Sequence, residues 1–306
     1  MREKITILFA LVILILSSCN SSKKETSSSL PTIVTTTGML ADAVKNIVGD
    51  SAQVTALMGP GVDPHLYKAS QGDLTLLTDA DVVIYNGLHL EGKMGEVLKK
   101  LGKLKPVIAG GEGIPIEKRK NSSQYKNVYD PHVWFDVSLW QIVVKYISNE
   151  LQLLHPANAK YYNNNTTTFL VQLDSLHQKT KASISSIPEQ QKVLITAHDA
   201  FEYFGSAYNI EVKGLQGIST VSEFGLRDIT DLVHFIVERK INAVFVETSV
   251  SKKAINAVVE GCHRKGFEVV IGGSLYSDAM GESNTPEGTY IGMVNKNVTT
   301  ITQALK

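Results

Sequence analysis

The chain has 306 residues, is 43% hydrophobic and 20% charged, and carries 30 basic against 30 acidic side chains. So even a balance gives no electrostatic footprint for nucleic acid or an anionic membrane surface. Cysteine occurs only at Cys19 and Cys262, so no intrachain disulfide forms unless Cys19 is left free.

The N-terminus reads as a processing signal. Arg2 and Lys4 form a short basic region, residues 5–16 an apolar core, and Leu16-Ser17-Ser18-Cys19 a lipobox-like site. An apolar run of that length suits a signal peptide (1–18) better than a membrane span. Cys19 would then be the lipidated first residue of an extracytoplasmic, membrane-anchored lipoprotein. Residues 19–30, rich in Ser, form a tether with an end-to-end distance of roughly 17–20 Å. Removing residues 1–18 leaves 28 basic and 29 acidic side chains over 288 residues, a formal charge of −1. No later segment is apolar enough to cross a membrane, and Cys262, in a helical stretch, reads as a small buried apolar residue.

Strand-like runs at 32–37, 53–58, 81–86 and 106–109 alternate with helical patterns at 39–48, 71–77 and 93–101. That βα alternation predicts a mostly parallel sheet covered by helices. A second series follows Pro188, with strands at 193–197, 210–215, 243–247 and 268–272. Its helices fall at 200–208, 226–238, 253–265 and 289–305. Between the series, Phe169, Leu173 and Leu176 recur at helical spacing, and Pro156 and Pro188 punctuate the ends. The expected organisation is an N-terminal α/β lobe (31–155), a linking helix (156–187) and a C-terminal α/β lobe (188–306). The run Asn163 to Thr168 holds poor helix formers, so a bend is expected there.

Four metal-capable side chains sit in separate motifs: His65 in Gly-Val-Asp-Pro-His, His132 in Asp-Pro-His-Val-Trp, His198 in Thr-Ala-His-Asp-Ala-Phe, and Asp278 in Ser-Asp-Ala-Met-Gly. Their intervals of 67, 66 and 80 residues exclude a local finger or a single helical clip. Each follows a predicted strand, and ligands in open α/β sheets bind beyond the carboxyl ends of strands. Two such residues per lobe would face each other across a cleft. Three imidazoles and a carboxylate make a reasonable shell for a first-row divalent ion. Asp63 and Asp130, each two residues before a histidine, are candidates either to orient an imidazole or to cap a turn. Glu247, ending its strand, is a further candidate neighbour, and Glu282 a substitute for Asp278. Trp134 and Phe135 read as core, as do Phe201, Tyr203 and Phe204. His89, His155, His177, His234 and His263 lack a motif and read as surface or packing residues.

Together with Val-Lys-Gly-Leu-Gln-Gly-Ile-Ser (212–219), these motifs resemble the zinc/manganese-binding lipoproteins of ABC importers, the TroA/ZnuA-like group, from about residue 32 to 305. The resemblance implies two α/β lobes bridged by one long helix. It makes His65 and His132 the N-lobe ligands, and His198 and Asp278 the C-lobe ligands, of a transported Zn2+ or Mn2+. It further implies a monomeric, non-enzymatic solute-binding protein that passes its ion to an ABC permease and its ATPase. Two departures carry information. Residues 114–129 contain no histidine and four basic residues, so the metal-harvesting loop of many zinc-binding relatives is expected to be absent. Manganese-selective relatives place Glu where His198 stands, which favours zinc here. The competing readings are a zinc-dependent hydrolase and a two-lobe binder of iron chelates or cobalamin. The first lacks a His-Glu-x-x-His helix and an open coordination position, and the second would need a large apolar pocket.

Overall fold

In the computed structural model, residues 30–122 and 125–306 are described; the predicted signal peptide, Cys19 and the tether up to residue 29 lie outside them. The first half holds four parallel strands: β1 (Thr32–Thr35), β2 (Gln53–Ala56), β3 (Val82–Tyr85) and β4 (Val107–Ala109). They lie in the order β2-β1-β3-β4, with α1 (Gly38–Val48), α2 (Gln71–Asp79) and α3 (Met94–Leu101) as crossovers. Local chemistry sets the helix starts. Asp73 Oδ2 accepts from Ser70 N at 2.7 Å and Ser70 Oγ from Asp73 N at 3.2 Å, a reciprocal capping box at the head of α2.

Two long helices follow, α4 (Val137–Leu154) and α5 (Ala159–Ser185). The sequence reading places no helix at α4. Its buried seam is nonetheless helical in spacing, through Val137, Trp140, Val144, Ile147 and Leu151, and Asp136 Oδ1 caps it from Ser138 N at 2.8 Å. The β-branched residues along it mask the helix from propensity, and burial of the seam overrides them.

α5 runs 27 residues, about 40 Å at 1.5 Å per residue, unbroken through the polar run. Its polar run is absorbed locally. Thr166 Oγ1 donates to Tyr162 O (2.7 Å), Thr167 Oγ1 to Asn163 O (2.9 Å) and Thr168 Oγ1 to Asn164 O (3.2 Å). Asn165 Nδ2 docks on Ile47 O at 3.0 Å, at the end of α1, and Ser148 of α4 meets Thr166 at 2.7 Å. Packing on α1 and α4 thus makes a poor helix-forming stretch a good interface.

The second half repeats the first in outline. Its elements are β5 (Val193–His198), α6 (Glu202–Tyr208), β6 (Glu211–Gln216), α7 (Leu226–Arg239), β7 (Ala243–Glu247), α8 (Lys253–Arg264), β8 (Val270–Leu275) and α9 (Tyr290–Leu305). β5 pairs with β6 and β7 with β8, all parallel, and β5 runs beside β7. They form two two-stranded sheets set side by side at β5 and β7. β8 starts two residues later than expected and runs to Leu275, with a bulge opposite Val244 and Phe245. At Gly272 an added Cβ would lie 2.5 Å from the Cβ of Ala304, so glycine here lets α9 lie against the strand. Cys262 is fully buried, as expected.

One apolar core runs through both halves, from Ile33 and Ile47 through Trp134, Trp140, Phe169 and Leu173 to Phe201, Tyr290 and Ile301. The fold is two parallel-sheet lobes flanked by helices and joined by α5, which is packed on both sides rather than spanning open solvent. No described helix is long and apolar enough to cross a membrane.

Candidate metal centre

His198 ends β5, while His65, His132 and Asp278 lie in the segments that follow β2, β4 and β8. Two of the four are held by a carboxylate two residues upstream and the other two by residues distant in sequence. His65 follows β2. Asp63 Oδ1 accepts from His65 N at 2.9 Å, and Asp63 Oδ2 accepts from Thr220 Oγ1 of the other half at 2.6 Å. Asp63 therefore shapes the turn and ties it to the loop after β6; it does not touch the imidazole. Gly92, at φ 47°, backs onto this loop, where a Cβ would lie 2.8 Å from His65 O.

Asp130 does both jobs. Its Oδ1 accepts from His132 N at 2.9 Å and from His132 Nδ1 at 2.7 Å. An ionised carboxylate only accepts, so Nδ1 donates to Asp130 and Nε2 is turned toward the other three side chains. His198 ends β5 and is held the same way by Glu247, at the end of β7. Glu247 Oε1 accepts from His198 N at 2.9 Å and Oε2 from Nδ1 at 2.5 Å. Asp278 lies in the loop after β8, where Trp134 Nε1 donates to Ser277 O at 3.0 Å and Ser249 Oγ meets Ser277 Oγ at 2.8 Å.

These holders aim the four donors at one point. His65 Nε2 lies 3.3 Å from His132 Nε2 and 3.8 Å from Asp278 Oδ2. His132 Nε2 is 3.5 Å from Asp278 Oδ1, and His198 Nε2 is 3.3 Å from Asp278 Oδ2. All four residues are buried, and one donor atom from each lies within 4.8 Å of the others. Zinc–donor bonds of about 2.0–2.1 Å place tetrahedral ligands about 3.3–3.4 Å apart, close to this spacing. Both Asp278 oxygens and His198 Nε2 are buried without a hydrogen-bond partner. Orphaned buried acceptors are costly unless a cation meets them.

The electrostatics are uneven. Burial pushes the His65 imidazole down to about 3, outweighing the attraction of Asp278. Burial also opposes charge on His198, but Glu247 and Asp278 overcome it and hold that imidazole well above the usual range. Asp278 is held well below the ordinary carboxylate range although burial opposes this, with His198 the strongest partner.

Glu282, the expected substitute for Asp278, is exposed and outside the group. His89, His234 and His263 are exposed, His177 meets Tyr208 at 3.1 Å, and His155 ends α4 beside Tyr162. Trp134, Phe135, Phe201, Tyr203 and Phe204 are core residues. Sequence reasoning missed Glu91. Fully buried and pushed up to about 6 by that burial, it accepts from Thr36 Oγ1 (2.8 Å) and Asn86 N (2.6 Å). Asn86 Nδ2 in turn donates to Pro131 O at 3.1 Å, beside His132. The only signal for this brace was a carboxylate five residues beyond an Asn-Gly turn.

Two parallel-sheet lobes around a buried three-histidine, one-carboxylate group make a cleft-type metal-binding protein. More particularly, the chain belongs to the family described as zinc-uptake complex component A, periplasmic (ZnuA), whose model matches residues 33–304. It is 50% identical over 300 residues to the manganese-binding lipoprotein MntA of Bacillus subtilis, covering 98% of this chain and 97% of that one. It is 46% identical over 284 residues to the zinc-binding protein TroA of Treponema pallidum, covering 93% and 92%. The solved structure of that periplasmic zinc-binding TroA superposes with a TM-score of 0.88 at 47% identity, covering 90% of this chain and 99% of that one.

Proposed function

We propose that this protein is an extracytoplasmic lipoprotein that captures a divalent ion, zinc in preference to manganese, with His65, His132, His198 and Asp278. It would work as a monomer and hand the ion to an ABC permease driven by a cytoplasmic ATPase, its lobes being 31–155 and 188–306. The observation that carries the reading is the buried carboxylate of Asp278, without a well-formed hydrogen bond, facing three imidazole nitrogens within 4.8 Å. The relatives named for zinc and for manganese support the ion class. Manganese is the second reading because both Asp278 oxygens are free to coordinate, which suits its higher coordination number. Metal analysis after chelation and competitive reloading tests the preference: zinc is expected to displace manganese at equal concentrations.

Zinc uptake should release about one proton per ion at neutral pH. Before the ion enters, Glu247 and Asp278 hold the His198 imidazole well above its ordinary range against burial, whereas burial keeps that of His65 down at about 3. Zinc must displace the His198 proton, so affinity falls as pH falls. Calorimetry in buffers of different ionisation enthalpy reads the number directly, and zero released protons would contradict the assignment.

The anchor is tested separately. Cys19→Ala should move the protein from the detergent phase to the aqueous phase and leave zinc binding unchanged; continued detergent partitioning would remove Cys19 from its role.

A further inference from the structure

The loop after β6, residues 217–222, straps the two halves together beside the four-residue centre. At its root, Gln216 pairs with His198 in the parallel register of β5 and β6, and its carbonyl accepts from Asp199 N at 2.9 Å. The side chain of the same residue folds over the loop, its Nε2 donating to Thr220 O at 2.7 Å and to Ser222 O. Thr220 then crosses to the first half, where its Oγ1 donates to Asp63 Oδ2 at 2.6 Å. The other oxygen of Asp63 accepts from His65 N at 2.9 Å. A hydrogen-bonded path therefore runs from the strand that carries His198 to the turn that carries His65. Ser222 makes a second crossing, 2.6 Å from the Tyr125 hydroxyl.

His65 is also the ligand nearest water. It is 7% exposed, against 2% or less for His132, His198 and Asp278. It lines a cavity of about 560 Å³ together with Leu66 and with Ile218, Ser219 and Val221 of the strap. The least buried ligand marks the side on which an ion in the centre meets solvent, and the strap stands on that side. We propose that Thr220 is a positioning residue for ion retention: through Asp63, its hydroxyl ties the His65 turn to the other half and sets how fast the ion leaves. Both oxygens of Asp63 are engaged, one by each half, so the carboxylate keeps both bonds only while the halves are together. Breaking the Thr220 bond leaves the Asp63–His65 turn intact but unties it, and His65 can withdraw from the ion. The effect falls on dissociation, because the bond is made only once the halves have met. This inference rests on the four residues being the ion's site.

The test is zinc release from full-length, zinc-loaded protein into excess chromophoric chelator, followed by stopped flow, with zinc uptake measured separately. Thr220→Val is close to isosteric and removes the donor. It should release zinc about tenfold faster, the scale of one hydrogen bond to a charged group, while uptake changes by less than about twofold. Thr220→Ser returns the hydroxyl and should bring release back to within about twofold of wild type, which a packing role for the side chain would not do. In an Asp63→Ala background, Thr220→Val should add nothing further, because the hydroxyl acts only through that carboxylate. Release from Thr220→Val at the wild-type rate, a Ser variant as fast as the Val variant, or the same acceleration without Asp63 would each overturn the role. Wild-type protein that takes up no zinc would instead overturn the four-residue centre, and this inference with it.

Discussion

His198→Ala should lower zinc affinity by roughly two to three orders of magnitude. A structural zinc site is worth about 10–16 kcal/mol over four ligands, so one ligand accounts for roughly 3–4 kcal/mol. Two further effects act at this position. The carboxylate of Glu247, only 1% exposed, loses its charge partner, and Asp278 loses the strongest of the groups that keep it ionised. A buried carboxylate without a partner is expensive, so the metal-free variant should also melt earlier. His65→Ala separates the two effects. His65 is held through its backbone N–H, and its ring lies 3.8 Å from Asp278 with no second carboxylate behind it, so its removal should cost affinity with little loss of stability. His89→Ala, an exposed control, should leave the affinity within about twofold, as surface changes away from a site do. Competition against a chromophoric chelator gives the affinities and calorimetric melting the stabilities. Unchanged affinity in two of the variants His65→Ala, His132→Ala and His198→Ala would end the ligand assignment.

The paired change His198→Glu with Glu247→Gln should move the zinc-to-manganese affinity ratio toward manganese by about tenfold or more. The first substitution exchanges a borderline nitrogen donor for a hard anionic oxygen and adds a negative charge at the ion. Made alone, it sets two carboxylates against each other, because Glu247 Oε2 now lies 2.5 Å from the His198 ring nitrogen. One of the pair would then take a proton and blunt the effect. The second substitution, Glu247→Gln, removes the clash and offers an amide donor to the new carboxylate, while the amide oxygen can still accept from the backbone N–H of residue 198. Zinc should still bind, since the ligand set gains charge. An unchanged or rising zinc-to-manganese ratio in the double variant would mean that this position does not set selectivity.

The Asp-Pro-His repeats, the Thr-Ala-His motif and Ser-Asp-Ala made the centre legible because each lies at or in the chain that leaves the carboxyl end of a strand, the side of a parallel sheet where ligands bind. What the motifs could not say is which neighbour holds which ring. Asp63 and Asp130 occupy the same place in the same tripeptide, yet only Asp130 reaches its imidazole, while Asp63 is turned toward Thr220, 157 residues away. Glu247 was readable as a strand-end carboxylate, but its pairing with His198 depends on β5 lying beside β7, a contact no local pattern encodes. The unbroken α5 and the unforeseen α4 have one cause: each buries its seam against the other, and packing outweighs the weak propensities of Asn, Thr and Val. Glu91 was invisible because a lone buried carboxylate announces itself only through the segments it ties together, here Thr36 and the Asn86–Gly87 turn.

X-ray absorption at the zinc edge of the loaded protein tests most directly whether one divalent ion sits among three imidazoles and one carboxylate. The expected spectrum has a single nitrogen/oxygen shell at about 2.0–2.1 Å, no sulfur, and the multiple scattering of three imidazoles, falling to two in His65→Ala. A spectrum with at most one imidazole, or one that His65→Ala leaves unchanged, would contradict that arrangement.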